Sequence, residues 1–161
     1  MKVIGFGAAL VDKQFLIKDD ALNALGIEKG LMTLNSEEEQ NELLTFLQNQ
    51  NYDQISSCGG SATNSIYAAA ALGTSSGFIG KVAEDEDGAI YNADLKDNNI
   101  EISNCITSSN GKTGNCIVLI TPDAERTMNT YLGVSSETKF SEINFEPVSY
   151  THLTLPTKEE V

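Results

Sequence analysis

Two adjacent glycines, Gly59 and Gly60, stand directly before the sequence pattern of a helix. An alanine-rich run covers residues 62–72, and Gly73 follows in the position of a helix C-cap. Glycines at such a place let the backbone take positive φ angles and let a ligand approach the main chain closely. The first N–H groups of a helix lack partners within it and lie at the positive end of its dipole. The pattern predicts a backbone cradle for hydroxyl or anionic oxygens, with the Asn64 amide within reach; the alternative is a loop and helix start without a ligand.

Composition limits the class of protein and its partners. The chain has 161 residues, 40% apolar and 20% charged, which fits one globular domain. Its formal net charge of −13 argues against a nucleic-acid partner, which would need clustered Lys and Arg. No apolar run approaches the roughly 20 residues of a membrane span. Because the start runs directly into a strand-like segment without a signal-peptide pattern, we expect a cytoplasmic protein with no membrane partner.

Cysteine and histidine usage excludes several kinds of site. The three cysteines, Cys58, Cys105 and Cys116, are odd in number and lack CxxC spacing, so neither a disulfide framework nor a zinc site is expected. We expect small, buried thiols instead. The only histidine, His152, is close to the C-terminus, which argues against a Ser-His-Asp or Cys-His mechanism.

Asp12 is a lone carboxylate after the first predicted strand. Residues 2–7 are typical of a short buried strand that ends in glycine. In open α/β sheets, ligands bind beyond the carboxyl ends of the strands. Asp12 is therefore a candidate for binding a substrate hydroxyl, and the alternative is a turn or cap aspartate.

Three other motifs are incomplete. Gly5 and Gly7 begin a dinucleotide fingerprint, but Leu10 stands where its third glycine belongs. Residues 84–88 imitate a calcium loop without its first carboxylate, so we predict an acidic helix start there. Residues 111–113 imitate a phosphate loop but lack its first glycine and precede a strand, not a helix.

The remaining pattern alternates strands and helices. Ser36 and Glu39 form a capping box for a helix that ends near residue 49. Strands at 55–58 and 77–82 flank the alanine-rich helix, which predicts a parallel pair with a right-handed crossover. Residues 115–121 and 126–132 predict a β-hairpin. Arg126 begins its second strand, where a guanidinium could reach phosphate; the alternative is a surface arginine.

Together these segments resemble the PfkB family of sugar and nucleoside kinases, which includes ribokinase and adenosine kinase. The resemblance covers about residues 2–136, and its motifs stand in the family's order. They are Gly7 to Asp12; Gly59-Gly60-Ser61-Ala62-Thr63-Asn64; Phe78-Ile79-Gly80-Lys81-Val82 with Asp85 and Gly88; Lys112-Thr113-Gly114; and Arg126-Thr127-Met128-Asn129-Thr130-Tyr131-Leu132-Gly133.

The resemblance implies a ribokinase-like three-layer α/β sandwich, Rossmann-like and mainly parallel, with a small β-sheet lid. Strands at about 13–17 and 115–132 would belong to that lid. The implied reaction moves the γ-phosphoryl group of ATP, with Mg²⁺, to a hydroxymethyl group of a small sugar or nucleoside.

The resemblance also implies roles for individual residues. Asp12 would hold sugar hydroxyls, and Arg126 would lie towards the transferred phosphate, as in adenosine-kinase-like members. The substrate site would be lined by Gly59, Gly60, Ser61 and Asn64. No protein metal ligand is expected in this chain.

The chain departs from the family pattern in two ways. Ala8 stands where many members carry asparagine. The resemblance implies a second half with a glycine-rich anion hole, a catalytic aspartate and most of the ATP pocket, and we expect this half to be absent from the chain. We therefore expect residues 1–148 to be the truncated N-terminal part of a kinase domain, inactive alone, and 149–161 to be a non-native or disordered tail. The alternatives are a non-catalytic sugar- or nucleoside-binding module and a dinucleotide-binding fragment.

Overall fold

The computed structural model describes residues 2–143 as a mixed α/β arrangement. The strands are β1 Lys2–Phe6, β2 Leu10–Leu16, β3 Met32–Leu34, β4 Gln54–Gly59, β5 Ser75–Ile79, β6 Lys81–Ala83, β7 Ile100–Glu101, β8 Ile106–Ser108, β9 Gly114–Ile120 and β10 Arg126–Tyr131. The helices are α1 Asp19–Leu25, α2 Glu37–Asn49, α3 Ser61–Ala71 and α4 Glu86–Asp97, and two 3₁₀ turns cover Gly133–Glu137 and Phe140–Glu142. The expected tail at 149–161 and His152 lie outside the described residues.

The strands form two sheets and one short pair. A core sheet has the order β1-β5-β7, and a lid sheet has the order β3-β10-β9-β2-β4, while β6 pairs with β8. Most of the pairings are parallel; β9 with β10 and β2 with β4 are antiparallel. The α/β class with mainly parallel strands is therefore confirmed, and both segments expected in the lid lie in the lid sheet.

Two predictions about the strands are wrong. The predicted parallel pair around α3 does not form, because β4 pairs antiparallel with β2 in the lid sheet and β5 pairs with β1 in the core sheet. Helix α3 thus carries the chain from one sheet to the other. The single strand predicted at 77–82 is two strands that break at Gly80, since β6 leaves the core sheet to pair with β8. A Cβ on Gly80 would lie 3.0 Å from the Gly7 carbonyl oxygen, so the two segments approach closely there.

Two apolar clusters hold these elements together. The central cluster lies between the sheets and helices α3 and α4, and the lid cluster lies between the lid sheet and helices α1 and α2. Large buried members of the central cluster are Ile66, Phe78, Tyr91 and Leu95, and those of the lid cluster are Phe15, Leu22, Leu47, Ile117 and Leu119. The three cysteines are free, and Cys58 and Cys116 are buried as expected.

The helix boundaries follow local signals in the sequence. The Ser36 hydroxyl accepts a hydrogen bond from the Glu39 amide, and the Glu39 carboxylate accepts one from the Ser36 amide, so the capping box is confirmed. Asp85 caps α4, in agreement with the predicted acidic helix start. Across residues 2–143, no helix combines the length and the apolar character needed to cross a bilayer.

Candidate functional site

The carboxylate of Asp12 lies directly over Gly59. Asp12 is the third residue of β2, and Gly59, the last residue of β4, pairs with the first residue of β2. A Cβ on Gly59 would lie 2.1 Å from Asp12 Oδ1, a distance that no side chain could occupy. Glycine is therefore required for the carboxylate to lie against the backbone at this junction.

Gly60 turns the chain from β4 into α3 with a left-handed backbone. Its φ angle is +97°, and a Cβ there would lie 2.7 Å from the Ala8 carbonyl oxygen. Helix α3 then begins at Ser61 without a side-chain cap, and its first bonded amide, that of Asn64, donates to the Gly60 carbonyl at 3.0 Å. The amides before Asn64 stay available to a ligand at the positive end of the helix dipole.

The side chains around this turn have free polar groups. Asp12 is half-buried, and among residues 2–143 its carboxylate has neither a hydrogen-bond donor nor an ion-pair partner. The exposed side chains of Ser61 and Asn64 form no hydrogen bonds with other residues of the range 2–143. Burial raises the pKa of Asp12, and the positive charge of Arg126 opposes that change. An unpaired half-buried carboxylate beside free amides can accept hydrogen bonds from hydroxyl groups of a ligand.

Arg126 lies on the same face of the lid sheet as Asp12 but does not touch it. Asp12 pairs with Cys116, and Cys116 pairs with Thr130, four residues further along β10 than Arg126. Paired residues on neighbouring strands point to the same face, and residues two apart along a strand share a face. Arg126 is exposed and forms no ion pair within the described part of the chain. It influences Asp12 only through its charge.

The face of the lid sheet that carries Asp12 and Arg126 is also apolar and open. By strand register it includes four large apolar side chains that are between 57% and 72% exposed: Leu16, Met32, Leu34 and Ile55. The opposite face of the same sheet packs on α1 and α2. We call the exposed side the open lid face.

The structure corrects and extends the predicted site. Asp12 was expected just beyond a strand end, but it lies inside β2, because the chain turns within residues 7–9 and enters the lid sheet. Asp12 lies against Gly59, and Gly60, Ser61 and Asn64 follow at the start of α3, whereas Arg126 has no contact with Asp12. Sequence reasoning missed the Ala8 carbonyl and the open lid face. Alternating apolar residues in β2 and β3 were the available signal for that face. Recognising that these residues share one face also required the pairing register of the strands, which the sequence does not show.

The described cysteines are unsuited to nucleophilic chemistry. Burial raises the pKa of Cys105 to about 11 and raises that of Cys58 further. Thiols with raised pKa values are poor nucleophiles. Across 2–143, no three His, Cys, Asp or Glu side chains are grouped so that they could hold a metal ion.

Asp85 fixes the loop that leads into the lid sheet. Its carboxylate accepts hydrogen bonds from the Gly88 amide at 2.8 Å, the Thr113 amide at 2.8 Å and the Thr113 hydroxyl at 2.6 Å. Burial raises the pKa of Asp85, but the hydrogen bonds from Thr113 and Gly88 outweigh it, so the pKa lies below the ordinary 3.8.

Asp85 should therefore contribute to acid sensitivity. Because its folded pKa is lower than its unfolded pKa, its stabilisation is present above the unfolded value and is lost as the pH falls through the folded value. We expect Asp85→Asn to lower the free energy of unfolding at neutral pH, and the deficit to shrink below pH 3.8. Urea titrations across pH measure this. Asp97→Asn, at the exposed opposite end of α4, is the charge-matched control. A deficit of constant size at every pH would contradict the assignment.

A family model for the "pfkB family carbohydrate kinase" matches residues 32–156 of the chain. The chain belongs to the pfkB family of carbohydrate kinases. The family match includes the Gly59-Gly60 turn and both strands of the hairpin.

Relatives of this pfkB chain are sugar and nucleoside kinases. Fructokinase-2 of Zea mays is 32% identical over 88 residues, which are 55% of this chain and 26% of that protein. The structure of adenosine kinase from Sinorhizobium meliloti matches with a TM-score of 0.79 and 28% identity over 91% of this chain. A probable sugar kinase from Rhizobium etli CFN 42 matches with a TM-score of 0.78 and 28% identity over 88% of this chain.

These relatives are longer than the chain. It covers 43% of the Sinorhizobium meliloti adenosine kinase and 42% of the Rhizobium etli protein. The comparisons show the ribokinase-like α/β fold, and the relatives that carry it are sugar and nucleoside kinases.

Proposed function

We propose that this pfkB chain is the substrate-binding half of an ATP-dependent phosphotransferase that acts on a hydroxymethyl group of a sugar or nucleoside. The observation that carries the proposal is the unpaired Asp12 carboxylate directly over Gly59, beside the free amides at the start of α3. A carboxylate and convergent amides are the groups that fix the hydroxyls of a sugar ring in place.

The residues have separate roles in this proposal. Asp12 accepts hydrogen bonds from ring hydroxyls, Gly59 lets the Asp12 carboxylate lie against the backbone, and Gly60 turns the chain so that the first amides of α3 face the ligand. Ser61 and Asn64 contribute polar groups from the first turn of α3. In the reaction, the bond between the γ-phosphorus of ATP and its bridging oxygen to ADP breaks. A bond from the hydroxymethyl oxygen to that phosphorus forms, and the hydroxymethyl proton passes to a base. We assign no base among residues 2–143, so in this proposal these residues position the substrate and do not complete the reaction.

Positioning is a large part of such a reaction. Phosphoryl transfer depends mainly on alignment and on stabilisation of charge, with little covalent chemistry by the protein. Kinases of the pfkB family in general use ATP and Mg²⁺. Arg126, exposed and without an ion pair among the described residues, could contact a phosphate group. The described residues offer no three-ligand metal cluster. Mg²⁺ is usually held by substrate phosphates with one or two carboxylates, and we derive no step through it.

The open lid face favours a nucleoside over a free sugar. Its exposed apolar side chains, which include Leu16, Ile55 and Met32, lie on the face that carries Asp12. Aromatic bases bury apolar surface, which a free sugar has little of, and each Å² buried contributes roughly 25 cal/mol. We therefore propose a ligand whose ribose lies at Asp12 and whose base contacts part of this face.

Binding and turnover test the proposal together. Calorimetric titration should show weak binding of adenosine and weaker binding of ribose, with no phosphorylated product when ATP and Mg²⁺ are added. Asp12→Asn should weaken adenosine binding about tenfold to a hundredfold, because hydrogen bonds to a charged group contribute about 1.5–3 kcal/mol. ATP-dependent product from the chain alone, or adenosine binding unaffected by Asp12→Asn, would refute it.

The second candidate function is a non-catalytic sugar- or nucleoside-binding module. The observation that favours it is that the described residues contain the candidate binding site while no base is assigned among them.

In the kinase proposal, residues 1–148 are the N-terminal part of the domain and 149–161 a non-native tail. Reading the gene past the codon for Pro147 from an independent clone separates the two. A continuing frame with a glycine-rich stretch ending in aspartate supports the kinase, and a genuine stop after Val161 supports the module.

A further inference from the structure

Two sequence motifs without a role in substrate binding meet at the first turn of α4. Asp85 and Gly88 belong to one motif and Thr113 to the other, 28 residues from Asp85. The Thr113 hydroxyl donates to Asp85 Oδ1 and accepts a hydrogen bond from the Ala83 amide at 2.9 Å. Thr113 is 1% exposed, and a Cβ on Gly88 would lie 3.0 Å from its hydroxyl oxygen. The contact is therefore buried and closely packed.

Thr113 stands at the base of the lid hairpin. The next residue, Gly114, is the first of β9 and pairs with Leu10, the first of β2. A Cβ on Gly114 would lie 2.4 Å from the Leu132 carbonyl oxygen and 2.6 Å from a Leu10 methyl carbon. Asp85 therefore holds the first residues of β9 in place. Strand β9 is the direct neighbour of β2, the strand that carries Asp12.

A second contact joins the same helical turn to β2 itself. Lys13 Nζ lies 2.8 Å from an Asp87 carboxylate oxygen, and the two side chains are only 11% and 19% exposed. Ion pairs withdrawn from water are screened less than surface pairs. Lys13 follows Asp12 directly, so the two side chains point to opposite faces of the lid sheet. Lys13 faces α4, and Asp12 faces Gly59.

We propose that the first turn of α4 positions the substrate-binding carboxylate, with Asp85 holding β9 through Thr113 and Asp87 holding β2 through Lys13. These four are positioning residues, because none of them lies at the Gly59-Gly60 turn. The two contacts hold neighbouring strands of the lid sheet to one rigid element. They fix the position and direction of β2 at the point where Asp12 lies over Gly59. The consequence for substrate affinity rests on the proposed function of Asp12.

Hydrogen exchange of the intact 161-residue chain tests the positioning directly. Thr113→Val keeps the shape of the side chain and removes the hydroxyl, and Thr113→Ser keeps the hydroxyl. We expect Thr113→Val to speed exchange of the Asp12 and Cys116 amides roughly fivefold or more, as for loss of a buried hydrogen bond. The Leu47 amide in α2 should change less, and Thr113→Ser should behave like the parent.

A second pair of variants covers the case in which Thr113→Val does not fold. Lys13→Met removes the charge but keeps an unbranched side chain, and Lys96→Met at the exposed end of α4 is its control. Faster exchange at Asp12 in Lys13→Met alone supports the proposal. Equal acceleration at Asp12 and Leu47, or identical behaviour of the two methionine variants, would overturn it.

An adenosine titration separates this proposal from the proposed function. In a folded Thr113→Val or Lys13→Met chain, the dissociation constant for adenosine should rise at least about fivefold, while Thr113→Ser and Lys96→Met keep the parent value. If the parent binds no adenosine, the proposed function is refuted, and selective exchange at Asp12 still decides whether α4 positions β2. Unchanged adenosine affinity in variants with faster Asp12 exchange would overturn the positioning role.

Discussion

Gly60→Ala is expected to destabilise the chain severely and to remove the cradle at the start of α3. A left-handed φ such as the +97° of Gly60 costs an alanine about 1–3 kcal/mol. The new Cβ would also lie 2.7 Å from the Ala8 carbonyl oxygen, which is backbone and cannot rotate away. Overpacking of this kind costs a further 1–3 kcal/mol or so. Urea unfolding measures the total, and adenosine binding should be lost.

Gly73→Ala is the matched control for this prediction. Gly73 follows the other end of the same helix, its φ is +82°, and a Cβ there would meet nothing within 4 Å. The Gly73→Ala variant should therefore be destabilised only by the cost of the positive φ angle, and it should keep adenosine binding. Equal losses of stability in the two variants would show that Gly60 has no close contact with Ala8.

Phe15→Ala is expected to cause the second large effect, by opening the lid cluster. Phe15 is fully buried in β2 against residues of α1, α2 and β9. Truncation of a buried phenylalanine typically costs about 3–5 kcal/mol, a large share of the roughly 5–15 kcal/mol of a whole domain. Thermal and urea unfolding should show a much less stable or unfolded chain.

Leu16→Ala, at the next position of β2, is the internal control. Leu16 points to the open lid face and is 72% exposed, so its truncation should change the free energy of unfolding by less than about 0.5 kcal/mol. The two neighbours test the assignment of faces on which the site depends. Similar destabilisation by both substitutions would mean that the open lid face is covered.

The sequence predicted those features that depend on near neighbours. The capping box of Ser36 and Glu39, the acidic start of α4 and the hairpin of β9 and β10 each follow from residues a few positions apart. Gly59 and Gly60 were recognised for the same reason, since a glycine pair before a helix indicates an unusual backbone. These local signals were sufficient to indicate the family's order of elements, and the substrate cradle at this glycine pair stays a prediction.

Features that depend on pairing between distant segments could not be predicted. A strand, a helix and a strand in succession favour one parallel sheet, but β4 pairs with β2 and not with β5. The strand that Asp12 belongs to therefore became clear only from the lid sheet. The open lid face and the contacts of Asp85 with Thr113 likewise depend on the register of β2 and β9, which no short window of sequence contains.

A nuclear magnetic resonance titration of the isotope-labelled chain with adenosine, repeated with Asp12→Asn, tests whether the substrate binds at the Gly59-Gly60 turn. We expect saturable shifts at the amides of Asp12, Gly59 and Asn64, with little change in α1 and α2, and a strong loss of affinity in the variant. An absence of saturable shifts, or shifts centred elsewhere that Asp12→Asn leaves unaltered, would contradict a substrate site at the Gly59-Gly60 turn.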